Sequence, residues 1–337
     1  MKSKDLPSIF RTAELTMLDV GARGGLPWQW QPFKEQITAI LVEPDPQEAA
    51  LLVERFQKEG IHGIKVIDKA LGASCGEAKL NLLRNPECSS LLEPNHAWLD
   101  RFPDADRFRT TKKVPIALST LDRELERLDV RRCDFLKLDV QGYENEVLAG
   151  ATKAVSECVA VEAEVSFNQI YQGQPLFHEI DAGMRARGFQ LIDLDRIWWR
   201  RKNVPARIST RGQIIWANVL YIRDPWTTGD YSKETLVRLG MILCSYRLFD
   251  IVHELFEKGV ERGAMTAEDV RAVDDWMAAH SFVKNPFWRL VGALPVFPFR
   301  RRVGRFFGMV SRCLHQDQYG EGVGVDASHW DRKWEWL

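Results

Sequence analysis

The sequence predicts an α/β fold built on a largely parallel sheet, with ligands gathered at one end of that sheet. Three observations point to it. The apolar run Met17–Val20 carries an acid, Asp19, and leads directly into a glycine-rich turn, Gly21-Ala22-Arg23-Gly24-Gly25. Two later apolar runs, Ala39–Val42 and Ile64–Ile67, stop at the acids Glu43 and Asp68. Helical segments lie between these runs, and that alternation is met most economically by parallel strands with right-handed crossovers. Sheets of this kind bind ligands beyond the carboxyl ends of their strands, where Asp19, Glu43 and Asp68 would meet.

Each element has a local reason. Glycine at the first turn lets the chain reverse sharply and lets a ligand approach the backbone. Pro32 to Gln36 reads as the end of a short helix. Asp45-Pro46-Gln47-Glu48 starts the next one: Asp45 caps it, Pro46 suits its first turn, and Glu48 sits at the capping-box position. Leu51, Leu52, Arg55 and Phe56 continue at helical spacing to a stop at Gly60. Residues 70–118 break the alternation and read as an insertion over the sheet mouth. It has short strands at Lys79–Arg84 and Val114–Leu118, and a polar loop containing Ser89 and Ser90. Thr120–Asp129 and Glu146–Ala149 read as helices, the second closed near Gly150.

Side chains alternate along a strand, so Phe135, Lys137 and Asp139 share one face of the run from Asp134, and Leu136, Leu138 and Val140 the other. A lysine and an aspartate within an apolar strand must pair or reach water, because burying one charge alone is expensive. In the strand Cys158–Val165, Glu162 and Glu164 likewise share a face, whereas parallel strands are ordinarily apolar on both. Structural ion pairs and a pocket rim both explain such placement. Pro175 opens a helix stepped by Leu176, Ile180 and Met184 and stopped at Gly188. Phe189–Leu194 and Ile214–Arg223 complete the sheet, joined by a basic aromatic connection, Trp198–Lys202. The sheet domain is expected to span 1–225, followed by a helical extension over 226–337. In that extension Leu236, Leu239, Leu243, Tyr246, Phe249, Val252 and Phe256 form one apolar stripe, stopped at Gly259. Thr266–Asp269 resembles a capping box for a further helix through Trp276.

Composition sets the outer bounds. The chain has 337 residues, 45% hydrophobic and 28% charged, with a formal net charge of -1. That is a soluble globular profile, with no overall electrostatic bias towards nucleic acid. The six cysteines form no C-x-x-C pair and no metal-ligand spacing with histidine, and fit reduced, buried thiols. Without a signal-peptide core or a run of roughly 20 apolar residues, the expected location is cytoplasmic. Phe287–Arg312 is basic and aromatic, and offers either peripheral contact with an anionic membrane or carrier lipid, or a cap packed on the sheet.

Taken together, Asp19-Val20-Gly21-Ala22, Glu43-Pro44, Phe135–Glu144 (FLKLDVQGYE), Glu162–Phe167 (EAEVSF), Tyr171 and Trp216–Arg223 resemble the FkbM-type family of S-adenosylmethionine-dependent methyltransferases. The resemblance covers roughly residues 17–223 and leaves 226–337 outside. It implies the class I methyltransferase fold, a Rossmann-like, seven-stranded, largely parallel sheet with helices on both faces and one antiparallel strand near its end. It implies S-adenosylmethionine as cofactor, with Asp19, Gly21 and Gly25 under its methionine part, Glu43 on the ribose hydroxyls and Asp68 towards the adenine. Arg23 stands where the family more usually has asparagine; an arginine there would clamp the cofactor carboxylate or point away.

Methyl transfer from a sulfonium is an in-line displacement, so positioning supplies much of the acceleration. A hydroxyl acceptor also needs a base for its proton. Asp139 and Glu164 are the favoured carboxylates, with Lys137 orienting them and Glu162 beside them; Tyr143, Tyr171 and His178 are candidate acceptor contacts. The expected activity is O-methylation of a small molecule, natural product or glycan precursor. Two alternatives compete. Glu43 would also suit the ribose of a nicotinamide cofactor, although the first loop is not G-x-G-x-x-G; and the basic aromatic stretch would suit a non-catalytic lipid adaptor. No His/Cys/Asp cluster argues for a metal.

Overall fold

The computed structural model describes residues 6–22, 25–61, 63–205, 208, 210–281 and 321–323. The basic aromatic stretch Phe287–Arg312 and the tryptophan-rich tail lie outside them.

Seven strands form the main sheet in the order β3-β2-β1-β7-β8-β10-β9. They are β1 (Leu15–Val20), β2 (Ile37–Val42), β3 (Gly63–Ile67), β7 (Phe135–Leu138), β8 (Ala160–Ser166), β9 (Phe189–Trp199) and β10 (Gln213–Arg223). Among these seven β10 is the one strand that runs opposite to the rest, pairing antiparallel with β8 and β9. An eighth strand, β11 (Glu321–Val323), pairs antiparallel with the outer edge of β9. It was not expected; it covers an edge that otherwise leaves backbone N–H and C=O groups of β9 unpaired. Trp198 and Trp199, read as part of a connection, instead extend β9 by pairing with Ile214 and Gln213.

The order reverses between β1, which leads outward to β2 and β3, and β7, which leads the other way. Ligands of open α/β sheets bind at such a switch point. The helix Pro46–Lys58 starts as expected, with the Asp45 carboxylate accepting from the N–H groups of Gln47 and Glu48, a cap worth about 1 kcal/mol. Thr120 caps Leu121–Arg127 in the same way.

Residues 70–119 form a second sheet over the mouth, with β4 (Ala70–Leu71), β6 (Thr110–Ser119) and β5 (Gly76–Leu83) side by side. The buried Asn81 side-chain amide donates to the carbonyls of Ser90 and Leu92 at 3.2 and 2.9 Å and so shapes the loop that returns over the cavity.

The apolar stripe after Asp224 becomes two helices, Lys233–Ser245 and Phe249–Glu261. The chain turns between them, with Arg247 at φ 59°, so both helices present their share of the stripe to one core. Gly259 is no stop: a Cβ there would lie 2.6 Å from Leu236 Cδ1, which makes it the small residue at the crossing. Thr266 and Asp269 do form a reciprocal capping box, for the helix Ala267–His280. These helices pack on the sheet itself. Leu239, Leu243, Phe256 and Trp276 share one continuous core with Leu15, Met17, Phe135 and Leu220. The opposite face is covered by the helices carrying Leu121, Val155 and Ile180. The free Cys133 and Cys158 thiols meet in that second core, Cys158 Sγ donating to Cys133 Sγ at 3.3 Å.

Candidate active site

A cavity of about 400 Å³ opens over the carboxyl ends of β1, β2, β7 and β8. Val20, Gly21, Val42 and Glu43 line one part, and Leu80, Ile116 and the loop 85–91 close it from above. Lys137, Asp139, Gln141, Tyr143 and Glu164 line the middle, and Arg107, Phe108, Trp199 and Trp216 the far wall.

Register explains the charges. Asp19, Lys137 and Glu162 are direct partners across β1, β7 and β8, so a cation lies between two acids in one row. Lys137 Nζ donates to Asp19 Oδ1 at 3.1 Å and lies 3.9 Å from Asp139 Oδ2. Burial alone would pull the ammonium down, but Asp19, Asp139 and Glu162 together hold it above the ordinary lysine range. Lys137 thus stands between Asp19 and Asp139: the expected contact with Asp139 is accompanied by a cross-strand pairing with Asp19 that the sequence did not show. Asp19 is buried and reaches the cavity only through Lys137. Glu162 is also withdrawn, and accepts from Tyr246 Oη of the C-terminal helices at 2.6 Å.

One step further along the strands the carboxylates face the cavity. Asp139 follows β7, its N–H bonded to Val20 O at 2.9 Å. Gln141, at φ 55°, turns back so that Nε2 donates to Asp139 Oδ1 at 2.8 Å and to Glu164 Oε1 at 3.4 Å. The buried Tyr171 hydroxyl lies 2.9 Å from Gln141 Oε1 and 2.7 Å from Cys88 O, and its one proton serves both acceptors. Ser90 Oγ donates to Gln141 O at 2.7 Å. The amide thus couples two carboxylates while the overhead loop fixes the amide. Burial, then the charges of Asp139 and Glu144, push the Glu164 carboxyl well up, with Lys137 opposing.

Glu144 stands behind this pair, and its Oε1 accepts from the N–H groups of Val140 and Gly142, both at 3.1 Å. Burial raises its carboxyl to about 7, against those backbone bonds and with a contribution from Asp139. An unfolded chain ionises this group near 4.5, so the native state binds more protons between the two values and stability falls as pH rises through them. Glu144→Gln keeps an acceptor oxygen and removes the ionisation. Urea unfolding should show the variant gaining up to about 3 kcal/mol on the wild type between pH 4.5 and 8; an unchanging difference would refute this account.

Gly21 has φ +88°, and a Cβ built there would lie 1.9 Å from Asp139 O. This closest approach of two strand ends leaves bare backbone at the cavity floor. Glu43, also buried, accepts from the Asp45 N–H at 2.9 Å. A glycine floor and an acid at the end of β2 fit an adenosine-bearing group, because the first admits it to the backbone and the second accepts from ribose hydroxyls.

Residues 19–191, just over half of the chain, match the methyltransferase FkbM domain. The chain belongs to the FkbM methyltransferase family. Its fold is the class I methyltransferase fold, its cofactor is S-adenosylmethionine, and family membership decides against the nicotinamide alternative. Solved structures similar to this methyltransferase include a candidate RNA methyltransferase of Pyrococcus horikoshii, at 11% identity over 64% of this chain and 77% of that one, with a TM-score of 0.29. The precorrin-6y C5,15-methyltransferase of Geobacter metallireducens matches at 10% over 64% and 84%, TM-score 0.29. TYW2 of M. jannaschii, solved with AdoMet, matches at 12% over 64% and 70%, TM-score 0.26. No curated protein matches the chain.

Other expected site residues sit elsewhere. Asp68 is exposed beyond β3 and Gly25 adjoins Glu59; neither lines the cavity. His178 is exposed on the helix Phe177–Ala186, turned away from the acids, because its helix buries Ile180 and Met184 instead. Tyr171 acts on the cavity through Gln141 rather than lining it. Tyr143 does line it. Arg23 lies outside the described residues. Gln141, Ser90 and Tyr246 carried no signal as site residues in the sequence; a glutamine in a turn and a serine in an insertion become informative only when folding joins them. Among the described residues no helix is long and apolar enough to cross a membrane, and no group of three His, Cys, Asp or Glu side chains is arranged to hold a metal.

Proposed function

We propose that this methyltransferase methylates a hydroxyl oxygen of a small molecule or glycan precursor, with Asp139 as the base. The supporting observation is the pair of cavity carboxylates, Asp139 and Glu164, joined through one amide nitrogen of Gln141. A neutral amine attacks through its lone pair unaided, whereas a hydroxyl must lose a proton as it attacks, so a carboxylate at the cavity favours oxygen as the acceptor. Two acids with different surroundings divide the work. Asp139, with Lys137 Nζ 3.9 Å from its Oδ2, takes the proton; Glu164, whose carboxyl burial and the charges of Asp139 and Glu144 push up, orients the acceptor. Glu43 would hold the ribose hydroxyls and Gly21 would admit the cofactor to the cavity floor. When bound, S-adenosylmethionine supplies a methyl group activated by its sulfonium. Trp199 and Trp216 offer flat apolar faces on which a sugar or planar ring would rest.

Extracts from cells with and without the protein should differ by a compound heavier by one CH₂, and the carbon shift of its new methyl group should be that of a methoxy carbon. A methylamine shift would overturn the hydroxyl reading.

A further inference from the structure

Beyond the far wall of the cavity, four aromatic rings pack into one cluster. Trp199 contacts Phe102, Phe108 and Trp98 at centroid distances of 5.4, 5.9 and 6.2 Å, and Trp98 contacts Phe102 at 4.7 Å. Three guanidinium groups lie on these rings. Arg107 sits between Phe108 and Trp199, 5.0 Å from each, Arg201 lies 4.2 Å from Phe102 and Arg101 lies 5.6 Å from Trp98. Arg107 has a carboxylate near it, Asp104 at 3.9 Å. The other two differ. Arg101 Nε donates to Trp98 O at 3.2 Å and Arg201 Nη2 to Gln213 Oε1, yet among the residues whose side chains are described no carboxylate pairs with either.

Arg201 Nη1 is buried and has no hydrogen-bond partner. Burial and then the charge of Arg101 pull the Arg201 guanidinium below its ordinary value, so the two cations work against each other in the structure as it stands. Two guanidinium groups on one aromatic support, Arg101 on Trp98 and Arg201 on Phe102 with those rings 4.7 Å apart, are relieved best by an anion that accepts from both. A phosphate meets this better than a single carboxylate, because it presents several acceptor oxygens and up to two negative charges to guanidinium forks.

We infer that the methyl acceptor carries a phosphate or diphosphate group held by Arg101 and Arg201 at the edge of the Phe102–Trp199 cluster, with the part to be methylated against Trp199 and Trp216. This rests on the acceptor reading of the cavity given above. Trp199 lines the cavity and contacts Trp98 and Phe102, whereas Arg101 and Arg201 do not line it, so the subsite serves an acceptor that extends past the part being methylated. It also separates the anionic group from Asp139 and Glu43, whose charges would repel it.

Calorimetric titration of inorganic pyrophosphate into the full chain tests the subsite, with sulfate as the control anion. The wild type should bind pyrophosphate more tightly than sulfate, and R101Q/R201Q should weaken pyrophosphate by about 10-fold or more. Equal pyrophosphate affinity in wild type and variant, or sulfate bound as tightly as pyrophosphate, would overturn the assignment. Should the double variant fail to fold, the single variants R101Q and R201Q carry the same comparison. S-adenosylmethionine titrated separately into both proteins keeps the two readings distinguishable: failure of the wild type to bind it counts against the methyltransferase reading, and intact binding in the variant localises any loss to the phosphate subsite.

Discussion

Replacing Asp139 by asparagine should lower turnover by about 10²- to 10⁴-fold while S-adenosylmethionine affinity changes little. Asparagine keeps the size of the side chain and an oxygen for Gln141 Nε2, which now donates to Asp139 Oδ1 at 2.8 Å. What it loses is the capacity to take a proton. The readout is release of S-adenosylhomocysteine in an extract that supplies the acceptor, set beside calorimetric titration of the cofactor. Full turnover in Asp139→Asn would remove this residue from the mechanism, and a matching loss of cofactor affinity would make its role one of binding.

Gly21→Ala should have the second large effect, on stability and cofactor binding together. Its φ of +88° disfavours any Cβ, and the new atom would lie 1.9 Å from Asp139 O. Left-handed strain costs roughly 1–2 kcal/mol and forced overpacking typically 1–3 kcal/mol more. The clash is with backbone, so relief requires the end of β1 or of β7 to move, and with it the geometry of Asp139. Gly173→Ala is the control: φ is similarly positive at +73°, but nothing lies within 4 Å of a Cβ there. Thermal unfolding and cofactor titration should separate the two variants; equal behaviour would mean that the close approach of the strand ends is unimportant.

The sheet was legible in the sequence because its rule is local. Apolar runs ending at Glu43 or Asp139 and capped helices at Asp45, Thr120 and Thr266 are each readable within a few residues. Alternation along the strand likewise placed Lys137 and Asp139 on one face. What alternation leaves open is register between strands distant in sequence. The Asp19–Lys137–Glu162 row depends on how β1, β7 and β8 align, so the sequence placed Lys137 beside Asp139 but did not show its pairing with Asp19. His178 and Asp68 are exposed and off the cavity lining for a different reason: a polar residue after a strand or at a helix start reads the same whether it faces a cavity or solvent. Gln141 shows the converse. Its importance comes from Tyr171, Ser90 and Glu164, contributed by three separate parts of the chain.

The contact of Tyr246 with Glu162 bears on how this enzyme can be divided. The family match ends at residue 191 and the seven adjoining strands of the main sheet at Arg223, which invites excision of a minimal catalytic unit. A cut after Arg223 would strip the cover from Met17, Phe135 and Leu220, and would leave Glu162 beside Lys137 without its phenol partner. A portable unit for grafting into another pathway enzyme therefore reaches at least to His280. The helices beyond the sheet are inherited with the catalytic strands, so a chimera that exchanges them must exchange Tyr246 and its carboxylate together.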